Sequence, residues 1–347
     1  MTTLTRNPAG PTSAGHPRGQ GGPGRSRPRL GGTAWLVWRQ HRAAFWTLIG
    51  LTALYALGMV FLRGQLTDYL DSVPQKSGGV TGAFEGYATR LFDGGTYLTY
   101  LPVLAGVFLG APLVAGDLES GTAKLVTSQS VGRLRWLTTK LAMTAGLLVL
   151  CTAVLAAVFE WWWSPVRGRA DTADSLAWTS GNIFDTTGIM PVAYVLLTFT
   201  VGVAVGMVLR RTLVSMVVTL GITVAIGVVW NHFRLSFGNI VSAGTHGGVG
   251  DDAPRPKLPL HAVQQGQGDY FLTGSGEHLD WTTCLDQMDS EKAHNACLAS
   301  KHVVGYSVDY LPMSQMHTMQ WMGAGVMLAA TAAVVAFTVL WGRRRLL

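Results

Sequence analysis

Charged residues are scarce in this sequence. Asp, Glu, Lys and Arg make up 13% of its 347 residues, whereas about 25% is usual for a soluble protein. About 20 apolar residues in an α-helix cross the roughly 30 Å hydrocarbon core of a bilayer. The scarcity excludes a soluble enzyme, a coiled coil and a disulfide scaffold, and predicts an all-α integral membrane protein with six transmembrane helices. The six uncharged runs are Ala43–Leu62, Gly94–Gly116, Leu141–Phe159, Thr186–Leu209, Thr212–Trp230 and Tyr310–Gly342.

The sequence also lacks the residues of an ATPase and of an intramembrane enzyme. A P-loop, G-x₄-G-K-[ST], requires a lysine after a glycine, and none of the six lysines follows one. Proton relays and nucleophiles require ionisable side chains within the bilayer, yet Glu160 at the edge of a span is the only acid associated with the spans. We therefore predict no catalytic residue and no cofactor in this chain. If transport is driven, the energy comes from another polypeptide.

The few basic residues are unevenly distributed and predict the orientation. With the N-terminus inside, the inner segments 1–42, 117–140, 210–211 and 343–347 hold 16 Lys and Arg and two acids. The outer segments hold the remaining 10 basic and 17 acidic residues. Cytoplasmic loops are enriched in Lys and Arg, so both termini are predicted to be cytoplasmic, in a multi-pass protein of the plasma membrane. The positive net charge thus reflects topology and contact with anionic lipid, and predicts no nucleic-acid partner.

Cysteine is rare, and the three cysteines differ in their expected roles. Cys284 and Cys297 share the predicted outer segment, where an oxidising environment favours a disulfide between them. Cys151 lies in the middle of the third span and is predicted to pack as a small apolar residue. Glu291, His294 and Cys297 recur every three residues and are a possible metal constellation. A solvated outer face is the favoured alternative, so we predict no metal.

The uncharged runs divide the chain into five regions. Residues 1–32 are rich in Gly, Pro and Arg and predict a disordered cytoplasmic tail. Residues 33–42 predict a short amphipathic helix along the inner leaflet, with a plain extension of the first span as the alternative. Residues 43–230 contain helices one to five. Residues 231–317 form an extracellular segment with a helical pattern between Trp281 and Ser300, and residues 318–347 contain helix six and a basic cytoplasmic end.

Two pairs of glycines lie inside the spans. Gly106 and Gly110 in the second span, and Gly202 and Gly206 in the fourth, are each separated by four residues. That spacing places two small residues on one face of a helix and permits close approach of a second backbone. We predict helix packing at these positions.

The inner connection between spans two and three carries the most specific pattern. An acidic turn with Asp117 and Glu119 precedes Ser120-Gly121-Thr122, which can end one helix and begin another. Gly121 is expected in a conformation that strains other residues, and Glu119 is expected to accept N–H hydrogen bonds or to pair with a basic residue. We predict a short cytoplasmic helix, within 117–135, across the membrane plane.

These residues resemble the permease subunits of ATP-binding-cassette exporters, in the type V fold shared with the G subfamily. The resemblance rests on Glu119-Ser-Gly-Thr122, on Ser130-Val-Gly-Arg133-Leu-Arg135-Trp136 and on Lys140. The opening Trp38-Arg39-Gln40-His41-Arg42 is similar to the start of the actinobacterial branch.

The resemblance implies that 117–135 is a coupling helix that docks on a separate ATPase subunit. Two permease copies, identical or related, and two ATPases would form the transporter, with ATP and Mg²⁺ bound to the ATPases. Members of the family export drugs, antibiotics, peptides and lipids. The coupling residues would be Asp117, Glu119, Gly121, Thr122, Leu125, Arg133 and Arg135.

The substrate path is implied to run along the dimer axis, between spans two and five. Val107, Phe108, Met216 and Leu220 are candidate lining residues, chosen as apolar residues of those spans. Because the spans are almost uncharged, a hydrophobic or amphipathic substrate is expected. A sensor or immunity protein without transport is the alternative function, and an integral-membrane enzyme is disfavoured because catalytic residues are lacking.

Overall fold

The structure, a computed structural model, describes residues 33–72, 82–121, 133–167, 177–249, 253–288 and 290–345. The predicted tail, 1–32, lies outside these residues. Within the described ranges, six helices are long and apolar enough to cross a membrane. These spans, one to six, cover Val37–Ser72, Gly86–Glu119, Arg135–Arg167, Met190–Leu209, Thr212–Phe237 and Met313–Arg344. The predicted all-α membrane architecture with six transmembrane helices is confirmed.

The helices extend beyond the uncharged runs. The first, α1, is continuous over 40 residues from Thr33 to Ser72. The segment 33–42 is therefore helical but joins span one without a break, as in the extension alternative, and no separate helix ends at residue 42. The later helices are α2 (Gly82–Thr99), α3 (Leu101–Leu104), a π-helical turn (Ala105–Gly110), α4 (Ala111–Glu119), α5 (Arg133–Trp163), α6 (Gly181–Phe184), α7 (Met190–Leu209), α8 (Thr212–Phe233), α9 (Glu291–Ser300) and α10 (Met316–Arg345).

Spans two and four cross at their glycines. A Cβ atom on Gly202 would lie 2.3 Å from the carbonyl oxygen of Gly106, and one on Gly206 would lie 2.4 Å from that of Ala111. Contacts this short are possible only without side chains, so the two backbones touch. The packing predicted from the glycine spacing is confirmed. The π-helical turn of span two, which contains Gly106 and Gly110, lies at this crossing.

Two apolar clusters fill the helical bundle, one towards each end. We name the ends by the orientation predicted from the charges: the inner end carries Asp117 and Lys140, and the outer end carries the segment between spans five and six. The outer cluster is rich in large aromatic side chains, including Phe159, Trp162, Trp178, Phe184 and Trp230. The inner cluster is smaller and mostly aliphatic, with Trp136 and Phe199 as its buried aromatic residues.

The segment between spans five and six folds around a four-stranded antiparallel sheet in the order β1-β4-β2-β3. Sequence patterns predicted no strand here, and this is a correction. Strands β1 and β2 pair with the distant β4, as Val241 does with Tyr310, and no local pattern reports these pairings, whereas β2 and β3 form a local hairpin in which Leu272 pairs with His278. In the region where a helical pattern was expected, the described residues form a short 3-10 helix at Leu285–Gln287 and the α-helix α9. The strands are β1 (Val241–Gly244), β2 (Val263–Thr273), β3 (His278–Asp280) and β4 (Val303–Leu311).

A disulfide joins Cys284 to Cys297 and fastens α9 to the turn that follows β3. The Cα atoms of the two cysteines are 6.1 Å apart, and both side chains contact a small apolar cluster around Phe271 and Leu298. Cys151 is a buried free thiol in span three. Because the disulfide engages Cys297, the constellation of Glu291, His294 and Cys297 is not available as a set of metal ligands.

Candidate coupling site

The inner ends of four spans meet around the end of α4. We call the residues that join them the inner junction: Gln40 of span one, Asp117 and Glu119 of span two, Lys140 of span three and Thr212 of span five. Asp117 and Glu119 lie two residues apart on the last turn of α4 but contact different helices. The end of span two is thereby attached to three neighbours at the point where the predicted coupling segment begins.

Asp117 forms a buried ion pair with Lys140. The side-chain ammonium of Lys140 donates to Oδ2 of Asp117, and Gln40 Nε2 donates to Oδ1 at 3.0 Å. Lys140 is 0% exposed and Asp117 is 7% exposed, so neither charge is solvated by water. The ammonium also lies 5.3 Å from the centroid of the Trp136 ring. Buried charges of this kind are tolerated only when they are paired, so the pair ties span two firmly to spans one and three.

Glu119 connects span two to span five in a different way. Its Oε2 accepts a hydrogen bond of 2.8 Å from the backbone N–H of Thr212, the first residue of α8. The first N–H groups of a helix have no partner within the helix, and a carboxylate there is favoured by the helix dipole. The N–H acceptor role expected of Glu119 is thus observed. Since Glu119 is exposed, water can replace this bond.

Gly121 ends the helical run of span two. The N–H of Ser120 donates to the carbonyl oxygen of Gly116 at 3.0 Å, and Gly121 follows with φ +72°. A glycine in the left-handed region just past a helix is a common termination, and a side chain there costs about 1–2 kcal/mol. The chain is therefore directed away from span two at Gly121, as the sequence predicted.

Of the remaining predicted coupling residues, Arg135 is the one whose side chain is described. Thr122 and Leu125 lie outside the described residues. Arg133 is the first residue of α5, and nothing is described of its side chain. Arg135 is exposed on α5. The junction is completed instead by Gln40, Lys140 and Thr212, whose contacts the sequence did not predict.

One sequence signal could have identified Lys140. It directly precedes the uncharged run Leu141–Phe159, and a lysine at the border of a span needs either water or an acidic partner. Asp117 and Glu119 are the only acids on the inner side, so the possible partners were few. Gln40 and Thr212 carried no comparable signal, because one is an uncharged polar residue and the other contributes its backbone.

The four predicted path residues are in different environments. Val107 is 6% exposed, so its side chain is enclosed within this chain, whereas Phe108 is 58% exposed and Leu220 is 45% exposed. Met216 is half-buried. The π-helical turn carrying Val107 and Phe108 packs against α8, which carries the other two. Spans two and five are therefore neighbours, and Phe108 and Leu220 are on the surface of the protomer.

Comparison with known proteins identifies a family. A family model described as ABC-2 membrane transporter related matches residues 49–234. The matched range is more than half of the chain, extends from span one through span five, and includes Asp117, Glu119, Lys140 and Thr212. No curated protein and no solved structure matches the chain.

Proposed function

Because the chain belongs to the ABC-2 membrane transporter related family, we propose that it is the permease subunit of an ATP-driven exporter. The observation that carries the proposal is the family match over residues 49–234, which identifies an ABC transporter permease. Six spans supply a membrane path. The lack of a P-loop in the sequence requires that ATP and Mg²⁺ bind to a separate ATPase subunit.

The proposed complex contains two permeases and two cytoplasmic ATPases. The two permeases are two copies of this chain or this chain and a relative, and the exposed apolar faces of spans two and five, with Phe108 and Leu220, would lie along the path between them. Residues 117–135 would form the coupling segment. The other inner turn between spans, Arg210-Arg211, is too short to accept a docking partner.

The inner junction suggests how a force on the coupling segment would reach the spans. A movement of the segment pulls on α4 at Gly121. The buried pair of Asp117 with Lys140 makes spans one, two and three move together, since separating its charges exposes each to an apolar surrounding. The bond from Thr212 to Glu119 is exposed and can be exchanged for water. ATP-driven docking would thus change the separation of spans two and five at their inner ends.

The proposed substrate is hydrophobic or amphipathic, such as a drug, an antibiotic, a peptide or a lipid. The spans are almost free of charge, and a multiply charged solute would find no desolvation partner among them. Apolar side chains exposed on span five include Leu213, Val217 and Val228. Efficient export of a small, multiply charged solute would contradict this part of the proposal.

A copurification experiment with point variants tests the function. The tagged chain should retain an ATPase subunit, and substrate should raise the rate of ATP hydrolysis by the complex. Glu119→Ala and Gly121→Val should leave the permease inserted and dimeric but abolish that stimulation and reduce export. Glu160→Ala, which removes an exposed acid at the opposite end of span three, is the matched control. Unchanged export by both junction variants would place the coupling element elsewhere, for example in the segment Trp35–Arg42.

The proposed orientation is tested by thiol labelling of intact cells. Cysteines introduced at Ser275 and Ser175 should react with an impermeant maleimide, because both lie in segments predicted to face outwards. A cysteine at Ser128, in the coupling segment, should react only after the cells are opened. Labelling of the Ser128 variant in intact cells would show that the proposed orientation is wrong.

A further inference from the structure

A short segment between spans three and four is buried at the outer end of the bundle. We call Trp178–Thr187 the outer clamp. It contains the single helical turn α6, and its residues Trp178, Ile183, Phe184 and Thr187 are at most 1% exposed. Trp178 Nε1 donates to the carbonyl oxygen of His261 at 2.9 Å and so reaches the outer segment. A connecting loop does not require such burial, and other polar groups of the clamp, among them Asn182, Asp185 and Thr187, bond to three different spans.

Asn182 attaches the clamp to span two. Its Nδ2 donates to Oγ1 of Thr96 at 2.8 Å and to the carbonyl oxygen of Phe92 at 3.3 Å. Gly95 lies between these residues, and a Cβ atom there would lie 2.5 Å from the carbonyl oxygen of Asn182. The clamp and span two are therefore in backbone contact, with no room for a side chain at Gly95.

Asp185 attaches the clamp to span five. Its Oδ1 accepts a hydrogen bond of 2.7 Å from Trp230 Nε1, and its Oδ2 lies 3.3 Å from Nη1 of Arg234. The side chains of Arg234 and Asp185 are 13% and 14% exposed. Burial raises the pKa of Asp185, while the hydrogen bonds and the charge of Arg234 oppose that shift. The carboxylate is therefore held among donors that have little access to water.

Gln320 attaches the clamp to span six. Its Nε2 donates to the carbonyl oxygen of Phe184 and to Oγ1 of Thr187, both at 3.0 Å. Gln320 is 3% exposed. Gly188, immediately after the clamp, has φ +61°, and a Cβ atom there would lie 2.7 Å from Oε1 of Gln320. The amide is thus enclosed between the clamp and its own span.

We propose that the outer clamp holds the outer ends of spans two, five and six together throughout transport, with Asn182, Asp185 and Gln320 as positioning residues. The inference rests on the proposed function. Opening the clamp would leave a carboxylate, a guanidinium and an amide without their partners in a site with little access to water, which is unfavourable. Spans two and five therefore separate at their inner ends and pivot about the clamp. The outer side opens between two protomers, each of which moves its clamp as a unit.

Cross-linking distinguishes a clamp that stays closed from a gate that opens. Thr96→Cys with Asn182→Cys removes the tie between span two and the clamp, so export should fall several-fold. A short bis-methanethiosulfonate reagent then joins the two cysteines. Export should return to within about twofold of that of the parent chain, which has no cysteine at these two positions, after the same treatment. Loss of the remaining export on cross-linking would overturn the proposal, because a gate that must open is blocked by the bridge. Each single-cysteine variant with the same reagent is the control.

Amide hydrogen exchange tests the clamp without any transport. In the purified full-length chain in lipid nanodiscs, Asp185→Asn should speed exchange in the clamp and also around Phe92–Thr96 of span two, which Asp185 does not touch. Asp93→Asn is the control, because it changes an exposed acid within the Phe92–Thr96 stretch itself. It should leave the exchange of both regions unchanged. Faster exchange confined to the residues that contact Asp185 would overturn the proposal. Failure of the proposed function appears separately, as a parent chain that exports nothing whatever the state of the clamp.

Discussion

The two ends of the bundle join span two to span five by different chemistry. At the outer end the link passes through the buried clamp, where Asp185 contacts Trp230 and Arg234 of span five. At the inner end α4 packs against α8, and the polar link is a hydrogen bond from the backbone N–H of Thr212 to the exposed Glu119. A buried charged group resists separation because nothing replaces its partner, whereas an exposed one exchanges its partner for water. On the proposed mechanism, the inner ends would therefore be the ones that separate.

The inner end nevertheless contains one strong link. Asp117, on the same turn of α4 as Glu119, pairs with Lys140 and so joins span two to span three. The polar links at this end therefore differ: a buried ion pair joins span two to span three, whereas an exposed hydrogen bond joins span two to span five, whose α8 also packs against α4. On the proposed mechanism, a partner that pulls on the coupling segment would exchange the exposed bond before it separated the ion pair.

The largest expected effect is loss of the inner ion pair. Lys140→Met leaves Asp117 buried without its cation, and we expect a loss of about 3–5 kcal/mol in the free energy of unfolding. The double variant Asp117→Asn with Lys140→Met should recover most of the loss, because no charge remains buried. Thermal unfolding of the purified variants measures both. Equal stability of the single variant and the wild type would show that the carboxylate of Asp117 is as well solvated as that of Glu119.

The crossing of spans two and four tests whether the middle of the bundle is as rigid as its ends. Gly202→Ala brings a methyl group against the backbone at Gly106, and we expect about 2–3 kcal/mol of destabilisation from overpacking. Gly221→Ala in α8, where no atom lies within 4 Å of the new methyl group, is the matched control and should cause no loss. Replacing an unpacked glycine by alanine changes stability by roughly 1 kcal/mol or less. A difference no larger than this between the two variants would therefore contradict close packing.

The outer clamp gives a smaller effect on stability. Trp230→Phe keeps an aromatic ring but removes the donor to Asp185, and we expect a cost of about 1–2 kcal/mol for the unsatisfied carboxylate oxygen. Trp321→Phe is the matched control, because the N–H that is lost there is exposed and bonds to His317 of its own helix. The midpoint of thermal unfolding of this variant should not change. Equal midpoints for the two variants would show that the hydrogen bond from Trp230 to Asp185 contributes no more to stability than a surface contact.

The smallest effect on stability is expected at the inner link between spans two and five. Thr212→Pro removes the N–H that Glu119 accepts, while proline is well tolerated at the first position of a helix. The preceding Arg211, with φ −128° and ψ 119°, already has the conformation that precedes proline. We expect an unchanged thermal midpoint but weaker stimulation of the partner ATPase by substrate. Thr212→Ser keeps the N–H and should behave as wild type, and equal stimulation in all three proteins would exclude this bond from coupling.

Several features of the candidate site could be read from residue types alone. Glu119 and Gly121 were predicted as an N–H acceptor and a strained turn, and both are observed. The role of Gly121 follows from local chemistry, since a glycine just after a helix end has few alternatives. The N–H that Glu119 accepts belongs to Thr212, 93 residues away, so its partner could not be read locally. Asp117 was assigned to the same coupling turn, but it faces the bundle and pairs with Lys140. The choice between facing out and facing in depends on neighbours that are not adjacent in the sequence.

The clamp and the sheet were missed for the same reason. The segment around Asp185 looks like a short polar outer loop, and its burial depends on Arg234, Trp230 and Gln320, which lie 45 or more residues away. The strands between spans five and six pair residues separated by tens of positions. The β2–β3 hairpin, by contrast, pairs residues close together in the chain, such as Leu272 with His278.

The sequence by itself determined the six spans, the glycine packing faces and the family, because hydrophobic length, residue spacing and motif are local properties that survive in any arrangement of the helices. Only the tertiary structure decided which spans are tied together and how strongly. A carboxylate is a firm anchor when its neighbours exclude water and a weak one when they do not. Asp117, Glu119 and Asp185 are all acidic residues, and their surroundings in the folded chain decide how strongly each one holds its partner.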